Sequence, residues 1–249
     1  VAKSLDKPQL DIDTANKELA DAQPLEIIQW AARQFGDGLA MSSSFGAQSA
    51  VMLHLCTRVV PDIPVILLDT GYMFPETYQF IDELAEKLAL NLKVYQSPIS
   101  PARMEATTGK LWEGGVEGLE KYDQLRKVEP MARALRELKV TGCISGIRHD
   151  QTDFRATLQP LRVQDGIFRI HPILRWTTKQ IHEYLVENDL PYHPLYYKGF
   201  KSIGDIHSTR AIKPGEDERA GRFYGLKSEC GIHLPQSDDE NTSRGCSGL

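Results

Sequence analysis

Near the C-terminal end the run Glu229-Cys230-Gly231-Ile232-His233 sets a thiol among small and polar neighbours, with Lys227 three residues before it and Arg219 and Arg222 further upstream. A thiolate is a strong, soft nucleophile, and nearby positive charge is what makes it reactive. The other cysteines are Cys56, Cys143 and Cys246, and no two of the four stand at C-x-x-C spacing. Neither a disulfide framework nor a zinc or dithiol redox site is therefore indicated. Cys56 falls in an apolar helix and Cys143 in a strand, which are core positions. Cys246 lies in a polar tail, from which oxidation could join it to Cys230. A purely structural role for Cys230 competes with the nucleophile reading, but a glycine-flanked polar position is a poor core site.

A second group of residues could hold an anion. Ser42-Ser43-Ser44-Phe45-Gly46-Ala47-Gln48-Ser49 joins a strand to a helix, where backbone N–H groups and the positive end of a helix dipole converge. The loop has neither the G-K-[ST] of a Walker loop nor G-x-G-x-x-G, and a serine-rich turn that only caps its helix is the competing reading. About 25 residues on, a second strand ends in Leu68-Asp69-Thr70-Gly71. Ligands of open α/β sheets bind beyond the carboxyl ends of strands, so the two loops are expected to share one crevice. Cations concentrate further along. Between residues 126 and 175, ten Lys or Arg, among them Lys127, Arg148 and Arg155, stand against five acids. That excess sits inside a chain of net charge −5 and suits a compact polyanion, although Arg133 and Arg136 read as the solvated face of a helix.

These residues need a scaffold. Gly38–Met41, Val65–Leu68, Leu92–Tyr95, Thr141–Ser145 and Phe168–Ile170 read as strands. Helices are expected over Gln48–Val60, Pro75–Leu88, Pro130–Lys139 and Thr178–Glu187. Strands alternating with helices predict βαβ units and an open, mostly parallel sheet with helices on both faces. After Asp189, prolines, glycines and aromatic residues replace any sustained period, which predicts an irregular segment that docks on the domain. The chain of 249 residues divides into an extension over 1–24, an α/β domain over 25–190, the irregular segment over 191–235 and a disordered tail over 236–249. The net −5 speaks against a nucleic-acid-binding surface. No run approaches the roughly 18 apolar residues of a membrane span, and the first residues lack a signal peptide's apolar stretch. No membrane association and a cytoplasmic location are expected.

Taken together, Ser42-Ser43-Ser44-Phe45-Gly46, Leu68-Asp69-Thr70-Gly71-Tyr72, Lys127-Val128-Glu129-Pro130, Gly146-Ile147-Arg148 and Glu229-Cys230-Gly231-Ile232-His233 resemble, in order and spacing, the thioredoxin-dependent phosphoadenylyl sulfate (PAPS) reductases of sulfate assimilation and cysteine biosynthesis. The resemblance covers about residues 36–233 and implies an adenine-nucleotide α-hydrolase-like fold in which the serine loop is a modified pyrophosphate loop. It implies Cys230 as the catalytic thiol. It further implies a nucleotide held by Ser42, Ser43, Ser44, Phe45, Gly46, Gln48, Ser49, Asp69, Thr70, Gly71, Lys127, Gly146, Arg148, Arg155, Arg219, Arg222 and His233. A sister branch that reduces adenylyl sulfate carries a four-cysteine iron–sulfur cluster; the matching positions here are Tyr122, Asp123, Asp205 and Ser208, so no cluster and no bound cofactor are expected. The implied partner is thioredoxin, or glutaredoxin, and a homodimer is admitted. Two other readings stay open: a cluster-free adenylyl sulfate reductase, and a non-catalytic nucleotide binder. An ATP pyrophosphatase would carry S-G-G-x-D where Ser44-Phe45-Gly46-Ala47 stands.

Overall fold

The computed structural model describes residues 9–234. The tail expected over 236–249, with Cys246, and the start of the expected N-terminal extension lie outside the described residues.

Helix α1 (Ile12–Leu19) begins at Asp11, whose carboxylate accepts from the N–H of Asp13 at 3.1 Å. That bond satisfies one of the orphan donors of a helix start. Then come α2 (Pro24–Phe35), β1 (Leu39–Ser42), α3 (Ala50–Val59), β2 (Pro64–Asp69), α4 (Pro75–Lys87) and β3 (Asn91–Gln96). Helices α5 (Pro101–Thr108) and α6 (Gly115–Asp123) follow, and a π-helical turn (Gln124–Val128) joins α6 to α7 (Glu129–Glu137). The chain continues through β4 (Gly142–Ser145), the short α8 (Asp153–Ala156), β5 (Leu161–Gln164), β6 (Ile167–Ile170) and α9 (Thr178–Glu187). Helices α2, α4 and α5 all open on proline, whose fixed φ suits the first turn and whose missing N–H costs nothing there.

The strands form one six-stranded sheet in the order β3-β2-β1-β4-β6-β5, parallel throughout except for β5. The expected open, mostly parallel sheet is therefore found, with an antiparallel edge added. From β1 the chain builds outward to β2 and β3, then returns to place β4 on the other side of β1. The crevice at that reversal lies beyond Ser42 and Ser145, the ends of β1 and β4.

Alternation along the strands feeds two cores. Leu39 and Met41 of β1 and Val65 and Leu67 of β2 pack with Ile28, Leu53 and Ile181 of α2, α3 and α9. Ala40, Ile66 and Cys143 face Met131, Ala134 and Leu135 of α7 on the other side. Cys56 and Cys143 are both buried, one in each core.

Strand β5 was not foreseen. Its outer edge is occupied by Asn16 of α1, which donates from Nδ2 to the Leu161 carbonyl at 2.8 Å and accepts the Leu161 N–H at 2.9 Å. Past α9 the chain runs through short 3₁₀ turns without a further helix or strand among the described residues. Fully buried His193 pins it down. Its Nδ1 accepts the Leu195 N–H at 3.1 Å, so its Nε2 carries the proton toward Thr77 Oγ1 at 2.9 Å.

At Gly142, a Cβ would lie 2.6 Å from the ring of Phe35. Gly142→Ala must displace that ring within a packed core, and the expected loss of stability is about 1–3 kcal/mol, read as a lower urea midpoint with an unchanged slope. A midpoint equal to wild type refutes the close approach.

Candidate active site

The crevice is a cleft of about 260 Å³ whose lining includes Ser42, Ser43, Ser44, Gly46, Gln48 and Ser49 from the serine loop, Thr70 after β2, and Gly146 and Arg148 after β4. Lys127, Arg155, Arg219, Arg222, Cys230 and His233 line it as well. The two loops of the sequence reading thus share one site with the C-terminal segment. The structure does not bring Phe45, Asp69 or Gly71 onto the lining. Phe45 is fully buried beneath the loop with φ 47°. Asp69 accepts from Gly71 N–H (2.8 Å), Tyr78 Oη (2.8 Å) and Gln96 Nε2 (2.6 Å), which fixes the turn after β2. Gly71, at φ 75°, leaves room for Pro101, which a Cβ would meet at 2.6 Å. These three residues shape the walls.

Positive charge converges on the cleft from three elements. Arg148 is 2% exposed and reaches Glu218, Asp150 and Thr178 at 3.2–3.3 Å. Arg222 donates to the Ile203 carbonyl at 3.0 Å, and its guanidinium lies where a side chain on Gly204 would have to go. Burial, with Arg155 and Arg222 adding repulsion, lowers the Arg219 pKa to about 10. The Nε atoms of Arg219 and Arg222 and the Ser49 hydroxyl are buried without a protein partner. Buried donors are normally satisfied, so this set is built to meet an anion. Forked guanidinium donors match phosphate and sulfate oxygens.

Lys127 stands at the centre. The π-helical turn, a form that recurs at functional sites, carries Arg126 and Lys127 both into the interior. Lys127 Nζ lies 2.9 Å from Asp123 and 2.9 Å from Asp205, Thr70 donates to Asp205 at 2.5 Å, and Lys227 of the C-terminal segment contacts the second oxygen of Asp123. Burial pulls the Lys127 pKa down, but Asp205 and Asp123, with the Cys230 sulfur behind them, reverse this and hold the ammonium charged. Burial likewise pushes Asp205 up; Lys127 and Thr70 overcome it and keep the carboxylate ionised. Tyr122, Asp123, Asp205 and Ser208, far apart in sequence, are all buried at this place. His207 stacks flat on Trp112 with ring centroids 4.0 Å apart, edged by Tyr72 and Tyr122. Among the described residues no group of three or more His, Cys, Asp or Glu is placed to hold a metal ion.

Cys230 packs against the cluster formed by Met104, Trp112, Leu119, Tyr122 and Phe223. Just before it, buried Glu229 accepts from Arg155 Nε and Nη2 at 2.8 Å each and from Thr152 Oγ1 at 2.7 Å. His233 is kept neutral: burial lowers its pKa well below the usual value, and Arg155, His171, Arg169 and Arg162 add to the effect. Several participants were not singled out from the sequence. Arg126 is 2% exposed, its Nε and Nη2 are unpartnered, and its guanidinium lies 5.7 Å from the centre of the Tyr72 ring. Asp205, Glu218, Gln151 and Lys201 also line the cleft. For Arg126 the available signal was charge next to an already chosen motif, and Asp205 enters the sequence reading only as a position matched to a cluster ligand. For the others there was none.

Known proteins place this geometry. A model of the phosphoadenosine phosphosulfate reductase domain matches residues 38–211. A phosphoadenosine 5′-phosphosulfate reductase of Synechocystis sp. is 54% identical over 97% of this chain and 98% of its own length. One of Vibrio cholerae is 53% identical over 92% of this chain and 90% of its own. A crystal structure of PAPS reductase from Candida auris, a phosphate complex, superposes with TM-score 0.71 at 32% identity, covering 84% of this chain and all but 1% of that one (99%). Candida glabrata FMN adenylyltransferase, at TM-score 0.57 and 17% identity over 96% of this chain and 81% of its own, shares the fold alone. No described helix is long and apolar enough to cross a membrane.

Buried neutral histidines give the fold a defined acid sensitivity. Burial, with Arg162 and Arg169, lowers His171 to about 3, and burial lowers His193 to about 4. Below about pH 6.5 the unfolded chain takes up protons that these rings refuse, so stability is fully present above about pH 6.5 and falls as pH drops toward about 4. Each histidine contributes a slope of about 1.4 kcal/mol per pH unit in that window. Urea unfolding between about pH 7.5 and 5 measures it; His193→Asn should flatten the slope, and an unfolding free energy constant across the window would refute neutral burial.

Proposed function

This chain belongs to the phosphoadenosine phosphosulfate reductase family, and from that premise we propose how its own residues reduce 3′-phosphoadenylyl sulfate to sulfite and adenosine 3′,5′-bisphosphate. The observation that carries the reading is the meeting in one cleft of Cys230, the serine loop and a cluster of arginines, two of which, Arg219 and Arg222, hold buried Nε donors without a protein partner. Backbone amides and hydroxyls of Ser42–Ser49 hold one end of the nucleotide phosphates. Arg155, Arg219, Arg222 and Lys127 surround the sulfate and the phosphate to which it is bonded, and Arg148 and His233 complete the lining.

In the first step the Cys230 thiolate attacks the sulfate sulfur in line. The sulfur–oxygen bond to phosphate breaks, adenosine 3′,5′-bisphosphate leaves with the electron pair, and the enzyme carries a Cys-S-sulfonate. Fixed cations stabilise the charge that develops on the departing phosphate. In the second step one thiolate of an external dithiol attacks the Cys230 sulfur and expels sulfite. The donor's other thiolate then breaks the mixed disulfide, restores the Cys230 thiolate and leaves as the oxidised disulfide. The donor supplies both electrons. Among the described residues no second thiol lies in the cleft lining, which supports a protein dithiol, thioredoxin or glutaredoxin, as the reductant. No bound cofactor enters this scheme. The engagement of Lys127 by Asp123 and Asp205, two positions matched to cluster ligands of a related branch, supports that reading. In this account residues 25–190 bind the nucleotide and residues 191–235 bring the thiol to it.

Cys230→Ser is expected to release no measurable sulfite while still binding the nucleotide. Wild-type protein given substrate without reductant should gain one sulfonate on the Cys230 peptide by mass spectrometry. Turnover with thioredoxin on substrate with and without the 3′-phosphate separates the two reductase readings. Sulfite release by Cys230→Ser at the wild-type rate would defeat the mechanism, and nucleotide binding without any sulfonate on the wild-type protein would favour a binder.

A further inference from the structure

Strand β5 carries a polar residue at a buried position. Gln164 is 3% exposed, and its Nε2 donates to the carbonyls of Ile232 and Leu234 at 2.9 Å each, with a longer contact to Asp165 at 3.3 Å. Two residues earlier, on the same side of the strand, Arg162 donates from Nη2 to Gln164 Oε1 at 2.5 Å and to the His233 carbonyl at 2.7 Å. With its oxygen taken by the guanidinium, the amide must turn its two N–H donors toward the C-terminal segment. Three successive carbonyls after Cys230 are thus captured by one pair of side chains.

Glu229, immediately before the thiol, is held by Arg155 and Thr152. Cys230 therefore sits between two clamps of different kinds. The forward clamp grips a side chain with an arginine of the cleft. The rear clamp grips backbone with two residues that do not line the cleft. Between residues 229 and 234 the main chain offers a long bond, from His233 N–H to the Cys230 carbonyl at 3.4 Å.

We infer that Gln164, oriented by Arg162, is a positioning residue for the reaction: its hydrogen bonds to the Ile232 and Leu234 carbonyls set the place of the Cys230 thiol over the cleft. This rests on Cys230 being the nucleophile. A thiol that must attack in line depends on sub-ångström placement, and small displacements cost rate steeply. Bonds to carbonyls also exchange readily for water, so the same cradle can let the segment go when a protein dithiol has to reach the sulfur. Its effect falls on sulfonation.

The test uses Gln164→Glu, which keeps the shape and removes both donors. Two rates are followed by peptide mass spectrometry on the full-length protein. One is alkylation of Cys230 by iodoacetamide without nucleotide, with buried Cys56 and Cys143 as internal references; the other is single-turnover formation of the Cys230 sulfonate at saturating substrate without dithiol. Loss of two hydrogen bonds is expected to speed alkylation of Cys230 about tenfold and slow sulfonation by at least about tenfold, while nucleotide affinity and the rates at Cys56 and Cys143 stay as in wild type. Where Gln164→Glu does not fold, Arg162→Met carries both readouts and should move them in the same direction by less. Wild-type rates at Cys230, or an equal rise at all three cysteines, would overturn the inference. If wild-type Cys230 never takes a sulfonate yet alkylation in the variant still rises, the nucleophile reading fails and the docking contact stands.

Discussion

One buried ammonium ties the active region together. Lys127 reaches Asp123 across a helical turn and Asp205 across a long stretch of sequence, and each carboxylate brings further connections: Thr70 from the end of β2 through Asp205, and Lys227 from the C-terminal segment through Asp123. A buried ion pair is weak evidence for net stability, because taking charges out of water costs nearly what their attraction returns. Removing one member is another matter, since it leaves an uncompensated charge in the interior at about 3–5 kcal/mol. The network therefore acts as a constraint on arrangement. The loop after β2, the turn before α7 and the segment beyond α9 hold these charges in compensation only when all three are in place.

The remainder of the cleft is a problem in unbalanced charge. Arg155 and Arg148 have carboxylate partners inside the protein, Glu229 and Glu218, whereas Arg219 and Arg222 lean on backbone carbonyls and leave Nε donors unused. Burial first, and then the neighbouring guanidinium groups, make charge unfavourable here, as the lowered pKa of Arg219 records. On the proposed reading a polyanionic nucleotide supplies the missing negative charge, so part of the binding energy for such a ligand is already stored as repulsion among these arginines.

Much of this could be read from the residues alone, and the reasons are local. The wholly apolar Val65–Leu68 run predicts a strand buried on both faces, Pro75 marks a helix start, and the Thr178–Glu187 helix has the bounds its periodicity suggests. The two cysteines assigned to apolar elements are buried in the two cores. What escaped depends on long-range pairing. Arg162 and Gln164 look like solvent-facing residues until the C-terminal segment lies across them, so β5 carried no recognisable pattern. The π-helical turn hinges on one shifted hydrogen-bond register, which no residue type announces, and it alone turns Arg126 inward beside Lys127. Asp69 and Gly71, drawn toward the site by their motif, serve the turn that supports it; chemistry-bearing types next to a site are often its scaffolding.

The contact between Asn16 and Leu161 has a consequence for association. An outermost strand offers a row of unpaired amides that another chain can zip onto. Here a carboxamide imitates the peptide group of a neighbouring strand, giving and taking one bond at the very residue where β5 begins. Sheet growth on that side is blocked by a side chain from a helix. Among the described residues, the β3 border of the sheet is left with an unpaired strand edge, so edge-to-edge polymerisation would start there, and a chain shortened past Asn16 would gain a second sticky border at β5.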